Sequence, residues 1–115
     1  MAFRRGQIYL ANFNPSKGSE PGKIRPCLIL QSDLLNEVDH PSTIVIPLTT
    51  QLNDAAPLRF RIDARSKLDR DSDLMLDQVR TIDNRRFMGD TLAELRPGEL
   101  SILREYLEII LGFED

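Results

Sequence analysis

One cysteine, one histidine and no tryptophan occur in the 115 residues of this chain. A lone Cys27 forbids an intramolecular disulfide, which fits a reducing, cytoplasmic setting. It lies within the apolar run Cys27-Leu28-Ile29-Leu30, which predicts a buried small hydrophobe rather than a nucleophile. His40 precedes Pro41 in a polar loop, so neither a His–His acid–base pair nor a histidine-rich zinc site can be built within one chain. No apolar run approaches the ~20 residues of a membrane span, and none follows Arg4-Arg5 as a signal peptide requires. Two ligand motifs also fail. Asp69-Arg70-Asp71-Ser72-Asp73 has the alternating carboxylates of a calcium loop, but Leu74 and Arg80 stand where its Gly and Glu belong, so a solvated acidic turn is expected. Gly18 to Lys23 is one residue short of a phosphate-binding P-loop, and no Ser or Thr follows the Lys.

What is present fits one domain over residues 1–115, a length that buries roughly 65% of the unfolded surface. The net charge of −3 argues against binding polyanions over the whole surface. Within residues 1–30, however, Arg4, Arg5, Lys17, Lys23 and Arg25 face only Glu20, so one face near the 18–26 loop can still meet a nucleic acid. Short apolar runs between turn residues predict strands at Gly6–Phe13, Cys27–Leu30, Thr43–Thr49, Arg59–Asp63 and Leu74–Ile82. Thr43–Thr49 is apolar on consecutive positions, so both its faces should be covered, with Pro47 at a bulge or an edge. Strict alternation in Arg59-Phe60-Arg61-Ile62 points Phe60 and Ile62 inward and both arginines to a wet face. Asp77-Gln78 interrupts the last strand, which places them at a site or in a buried polar network. Pro97–Leu111 reads as a helix whose stripe Leu100, Leu103, Leu107, Ile110 and Leu111 faces the core, with Gly112 as its stop. Asp33–Glu37 and Ala64–Leu68 are expected to add single helical turns.

Gly18-Ser19-Glu20-Pro21-Gly22-Lys23-Ile24-Arg25-Pro26 joins a loop to a buried strand. Arg25 sits at that junction, where its permanently charged planar fork could hold a phosphate in one orientation, although a solvated or structural Arg is the commoner occupant of such a place.

Three segments together resemble the MazF/PemK family of toxin ribonucleases: Gly6-Gln7-Ile8-Tyr9 with Pro15 and Gly18-Ser19-Glu20 through Arg25-Pro26; Ile46-Pro47-Leu48-Thr49; and Asp77-Gln78-Val79-Arg80-Thr81-Ile82-Asp83. The resemblance implies a mainly β fold with a C-terminal helix, a small SH3-like barrel of the MazF/CcdB type that acts as a homodimer. It also implies sequence-selective cleavage of single-stranded RNA without metal or cofactor, and a MazE-like antitoxin partner. Carried over by position, Arg25, Thr49 and Glu20 are the catalytic candidates and Asp77 a further match; with the loop and strand-end residues Ser19, Lys23, Thr50 and Gln78 around them, Asp77 is placed among the substrate-binding candidates. Some members use the Asp77 position as an acid–base residue, with an Arg two places earlier where this chain has Met75. Members often carry Gln-Gly-Gly where this chain has Pro21-Gly22-Lys23. With two Tyr and five Phe, hydrogen bonds to base edges should outweigh stacking in base selection. Two alternatives stay open: a gyrase-poisoning toxin of the CcdB kind, whose Trp-containing tail is missing here, and a noncatalytic RNA-binding barrel.

Overall fold

The computed structural model describes residues 3–15, 18–19 and 22–113. Strands β1 (Gln7–Asn12), β2 (Ile24–Ile29), β3 (Ser42–Thr49), β4 (Arg59–Ile62), β5 (Ser72–Met75), β6 (Arg80–Asp83) and β7 (Phe87–Glu94) pair antiparallel; helix α1 (Asp33–Glu37) follows β2 and α2 (Pro97–Leu111) follows β7. The order is β4-β5-β3-β2-β1-β7, with β6 also on β3. The fold is thus mainly β with a C-terminal helix, and the sheet does not close, since β4 and β7 are its ends.

The period-2 alternation of the strands builds two cores. Ile8, Leu28, Ile46, Leu48 and Leu74 pack with Leu103 and Leu107 of α2 on one side, and Tyr9, Phe13, Cys27, Ile29, Val45 and Ile82 form the other. Burying Leu103 and Leu107 contributes about 1.5–3 kcal/mol each. Both faces of β3 are covered, as its unbroken apolar run predicts. Cys27 is fully buried, and that burial pushes its thiol far above the usual range. Gly112 ends α2 in the left-handed conformation (φ 75°), with its N–H donating back to the last turn.

Four expectations change. The strand expected over Leu74–Ile82 is two strands around a 3-10 turn, Leu76–Gln78. Leu48 faces Leu74 but Val45 faces Arg80, so the partner chain holds three residues too many and bulges there. Pro47 lies in that gap: Ile44 and Leu48 aim their carbonyls at the β2 side, so by alternation the N–H that Pro47 lacks would face the gap. Asp77 is thereby turned to solvent, not into a buried network. Ala64–Leu68 forms no helical turn; it is a tight loop closed by an Arg65–Leu68 bridge, with Leu68 buried. Leu111 lies outside the core, because the stripe drifts off the contact face after Leu107. β7, whose Gly89-Asp90 breaks any apolar alternation, is a strand because β1 offers it a ladder.

Candidate active site

The register of β2 and β3 sets Cys27 opposite Pro47, and extending it by two residues brings Arg25 to the level of Thr49, where Arg25 Nη1 reaches the Leu48 carbonyl. Directly opposed residues of an antiparallel pair share a face, so both side chains leave the same side of the sheet. They line an open cleft of about 440 Å³ together with Lys23, Thr50, Gln51 and Arg59. Its described walls carry three cations and no carboxylate.

Arg25 is held by the backbone. Its Nε donates to the Gly22 carbonyl at 3.0 Å and its Nη1 to the Leu48 carbonyl at 3.2 Å. These acceptors fix the guanidinium plane without neutralising it, and among the described residues Nη2 has no partner. Partial burial lowers the Arg25 pKa from its ordinary value, so the charge is incompletely solvated and available to an anion. The Thr49 hydroxyl accepts from the Gln51 N–H at 3.2 Å, which occupies an acceptor site and leaves its hydrogen to donate into the cleft. Lys23 reaches the rim through a left-handed backbone (φ 70°), locked by its N–H to Asn14 Oδ1 at 2.8 Å and its carbonyl to the Phe13 N–H at 2.8 Å.

Of the residues singled out from the sequence, the cleft gathers Arg25, Thr49, Lys23 and Thr50. Ser19 is exposed in its turn, Asp77 is exposed and Gln78 half-buried on the 3-10 turn, and none of these three lines the cleft. Glu20 lies outside the described residues.

The sequence profile of a family described as PemK-like, MazF-like toxin of type II toxin-antitoxin system matches residues 4–111. This chain belongs to that family. It is 38% identical to endoribonuclease EndoA of Bacillus subtilis, over 100% of this chain and 99% of that protein. It is also 38% identical to endoribonuclease MazF of Staphylococcus saprophyticus, over 95% and 91%. Among solved structures, MazF of Deinococcus radiodurans superposes with a TM-score of 0.80 at 26% identity, covering 97% of this chain and 98% of that one. In a MazE–MazF complex from the same organism the TM-score is 0.78 at 25% identity, over 99% of each chain.

In this PemK/MazF-family chain the sequence leaves one cation of the cleft unannounced. Arg59 was expected on a wet face, yet β4 pairs with β5, and that face turns toward the cleft. The acidic stretch Asp69–Asp73 that follows it also differs from expectation: Ser72 and Asp73 are buried rather than part of a solvated turn. Asp73 accepts from Arg61 Nε at 3.0 Å and from the Asn53 N–H at 2.8 Å, and Arg59 Nη1 stands 3.5 Å from it. Burial raises the Asp73 pKa, but the Arg61 hydrogen bond, the Asn53 N–H and both guanidinium charges outweigh it and hold the carboxyl below its usual range. The wet face implied by Arg59-Phe60-Arg61 was the available clue; what it lacked was the acid that fills that face.

Proposed function

We infer that this chain is the toxin of a type II toxin-antitoxin pair and an endoribonuclease that cleaves single-stranded mRNA at selected sequences through attack by the 2'-hydroxyl. One observation carries the assignment: Arg25 is clamped by two carbonyls, meets no carboxylate among the described residues, and shares its cleft with a threonine hydroxyl whose hydrogen has no partner among them. Metal-free RNA cleavage needs the 2'-oxygen to lose a proton, attack the adjacent phosphorus in line and expel the 5'-oxygen, which leaves protonated. Arg25 Nη2 and the Thr49 O–H can donate to the non-bridging oxygens, where charge grows in the phosphorane. Arg25 is a poor base at its high pKa, and the described cleft wall offers no carboxylate, so Glu20 from the adjoining loop is assigned the 2'-hydroxyl proton. Lys23 and Thr50 at the rim are assigned to the flanking nucleotides, with Ser19, Asp77 and Gln78 reached by RNA that runs beyond the cleft. The product ends are a 2',3'-cyclic phosphate and a 5'-hydroxyl.

Three features of assembly belong to the same proposal. An acidic extended segment of a MazE-like antitoxin would compete with RNA for the charges of the cleft. The toxin acts as a homodimer, and it works in the cytoplasm, where mRNA is translated.

Primer-extension mapping of new 5' ends on a long RNA, with chelator present, tests the assignment. Discrete cleavage sites are expected, and a 2'-deoxy substitution at a mapped site should abolish cutting there. Arg25→Ala should lower kcat by ~10²- to 10³-fold, as expected for loss of one preorganised donor. Cleavage at an unchanged rate beside a 2'-deoxy sugar would eliminate the mechanism.

A further inference from the structure

Resting on the nuclease assignment of this cleft, we propose that Arg59 is a substrate-phosphate ligand in it and that buried Asp73 is the residue positioning Arg59. The sheet register brings this about. Thr49 faces Asp73, Asp73 faces Arg61, and one step of alternation further Met75 faces Arg59. All these side chains therefore leave the face that carries Arg25 and Thr49. Arg59 lines that cleft and the neighbouring cavity of about 410 Å³ that holds Asp73, Arg61 and Asp54, so its guanidinium bridges the two.

The two arginines beside Asp73 are used differently. Arg61 spends Nε and Nη2 on Asp73 at 3.0 and 3.4 Å and Nη1 on Asp54 at 2.8 Å, which leaves its fork committed to carboxylates. Arg59 donates only through Nη1, to the Gln51 carbonyl at 3.2 Å, and stands 3.5 Å from Asp73. Among the described residues its Nε and Nη2 have no partner. Its side chain is 22% exposed and that of Asp73 1%, so the carboxylate cannot reach a substrate while the guanidinium can. One acid shared between two arginines holds Arg59 in place and leaves it net cationic. A planar cation with two open donors, next to a clamped Arg25, is suited to the phosphodiester beside the scissile one. The same contact to Gln51 also ties down the segment that carries Thr49 and Thr50. A purely structural role for Arg59 is the competing explanation, and it predicts a loss of stability with no change in how binding depends on salt.

The test is binding of a single-stranded RNA with one mapped cleavage site, made uncleavable by a 2'-deoxy sugar there, across a range of salt concentrations. Arg59→Gln, which keeps a hydrogen-bonding side chain, and Arg59→Met, which keeps the volume, are compared with the wild type, each checked for a cooperative thermal transition. Loss of one phosphate contact should weaken binding about 10- to 100-fold and flatten the log–log salt slope by ~0.7. With cleavable RNA, KM should rise by a similar factor while kcat stays within about threefold, the reverse of Arg25→Ala. Arg59→Lys should keep the slope and recover part of the affinity. Asp73→Asn should raise KM in the Arg59-containing protein and add little in the Arg59→Gln background. A folded Arg59→Gln or Arg59→Met protein with wild-type salt slope and KM overturns the proposal while Arg25→Ala still upholds the nuclease. Wild-type protein that neither binds nor cuts RNA removes the nuclease assignment itself.

Discussion

Lys23 holds a left-handed backbone (φ 70°) that costs a non-glycine residue ~1–2 kcal/mol, at the position where related toxins often carry the second glycine of Gln-Gly-Gly. The loop places a cation on a backbone conformation that glycine adopts without strain. Its hydrogen bonds to Asn14 and Phe13 enforce the shape, which sets the lysine at the cleft rim. Replacing Lys23 separates the two effects. Lys23→Gly should be about 1 kcal/mol more stable than Lys23→Ala in a urea melt, because Ala keeps the strained φ and Gly relieves it. Both should bind RNA with a salt slope shallower than the wild type, since both lose the cation. Equal stability of the two variants would show that the backbone relaxes once the lysine is gone. At this scale the candidate site was partly legible. Arg25 announced itself because a loop rich in Gly and Pro ran into an apolar strand, whereas Thr49 entered only through the resemblance of Ile46-Pro47-Leu48-Thr49 to the family. Arg59 did not, because its importance depends on which strand lies beside β4, and no local pattern contains that.

Elements were legible where a periodic pattern and a stop coincided, as in α2 between Pro97 and Gly112 or β3 between polar flanks. They were illegible where pairing overrode pattern: β7 exists because β1 has an open edge, and β5 and β6 are separate because one long β3 serves both in different registers. The seating of α2 shows another contribution that periodicity misses. Glu99 in its first turn pairs with both Nη atoms of Arg65, largely buried, and accepts from the Arg96 N–H at 2.7 Å at the helix start. Arg65 in turn meets Asp63 at 2.8 Å, so the loop after β4 is pinned to the helix. The Arg65 hydrogen bond lowers the Glu99 pKa, burial opposes it, and the net result stays below the usual range. A depressed carboxyl stabilises above its unfolded pKa of ~4.3 and loses that contribution as pH falls through its folded value. Glu99→Gln should therefore cost about 1–3 kcal/mol at pH 7, with the gap to wild type closing on acidification below ~4. Thermal melts from pH 7 to pH 3 measure this directly, and a gap constant over that range would mean Glu99 acts by packing alone. RNA cleavage at pH 7 should be unchanged, since Glu99 does not line the cleft.

For the molecule as a whole, charge and apolar surface are arranged differently from their order along the chain. The cleft draws Lys23 and Arg25 from the basic first third but Arg59 from the acidic remainder, while Arg5 sits in a groove along α2. That groove, of about 710 Å³, is lined by Leu30, Leu100, Leu103, Leu107 and Phe113. Phe113 is 76% exposed, Leu34 on α1 is 77% exposed, and Val38, just past its end, is 71% exposed. The α1 N-terminus is tied to the same region, because the Arg5 N–H donates to Asp33 at 2.8 Å. Large apolar side chains left this open beside a groove mark a surface that is covered in the working state. The proposed homodimer would cover it with a second copy of the chain. Light scattering should then report twice the 13.1 kDa chain mass at micromolar concentration. Phe113→Asp and Val38→Asp should each shift the population toward the single-chain mass, because a buried unpaired carboxylate opposes association by several kcal/mol while costing little on an exposed surface. Far-ultraviolet circular dichroism should stay unchanged in both. Were both variants to keep the doubled mass, the partner copy would have to sit elsewhere, and the free ends of the sheet at β4 and β7 would be the next surfaces to disrupt.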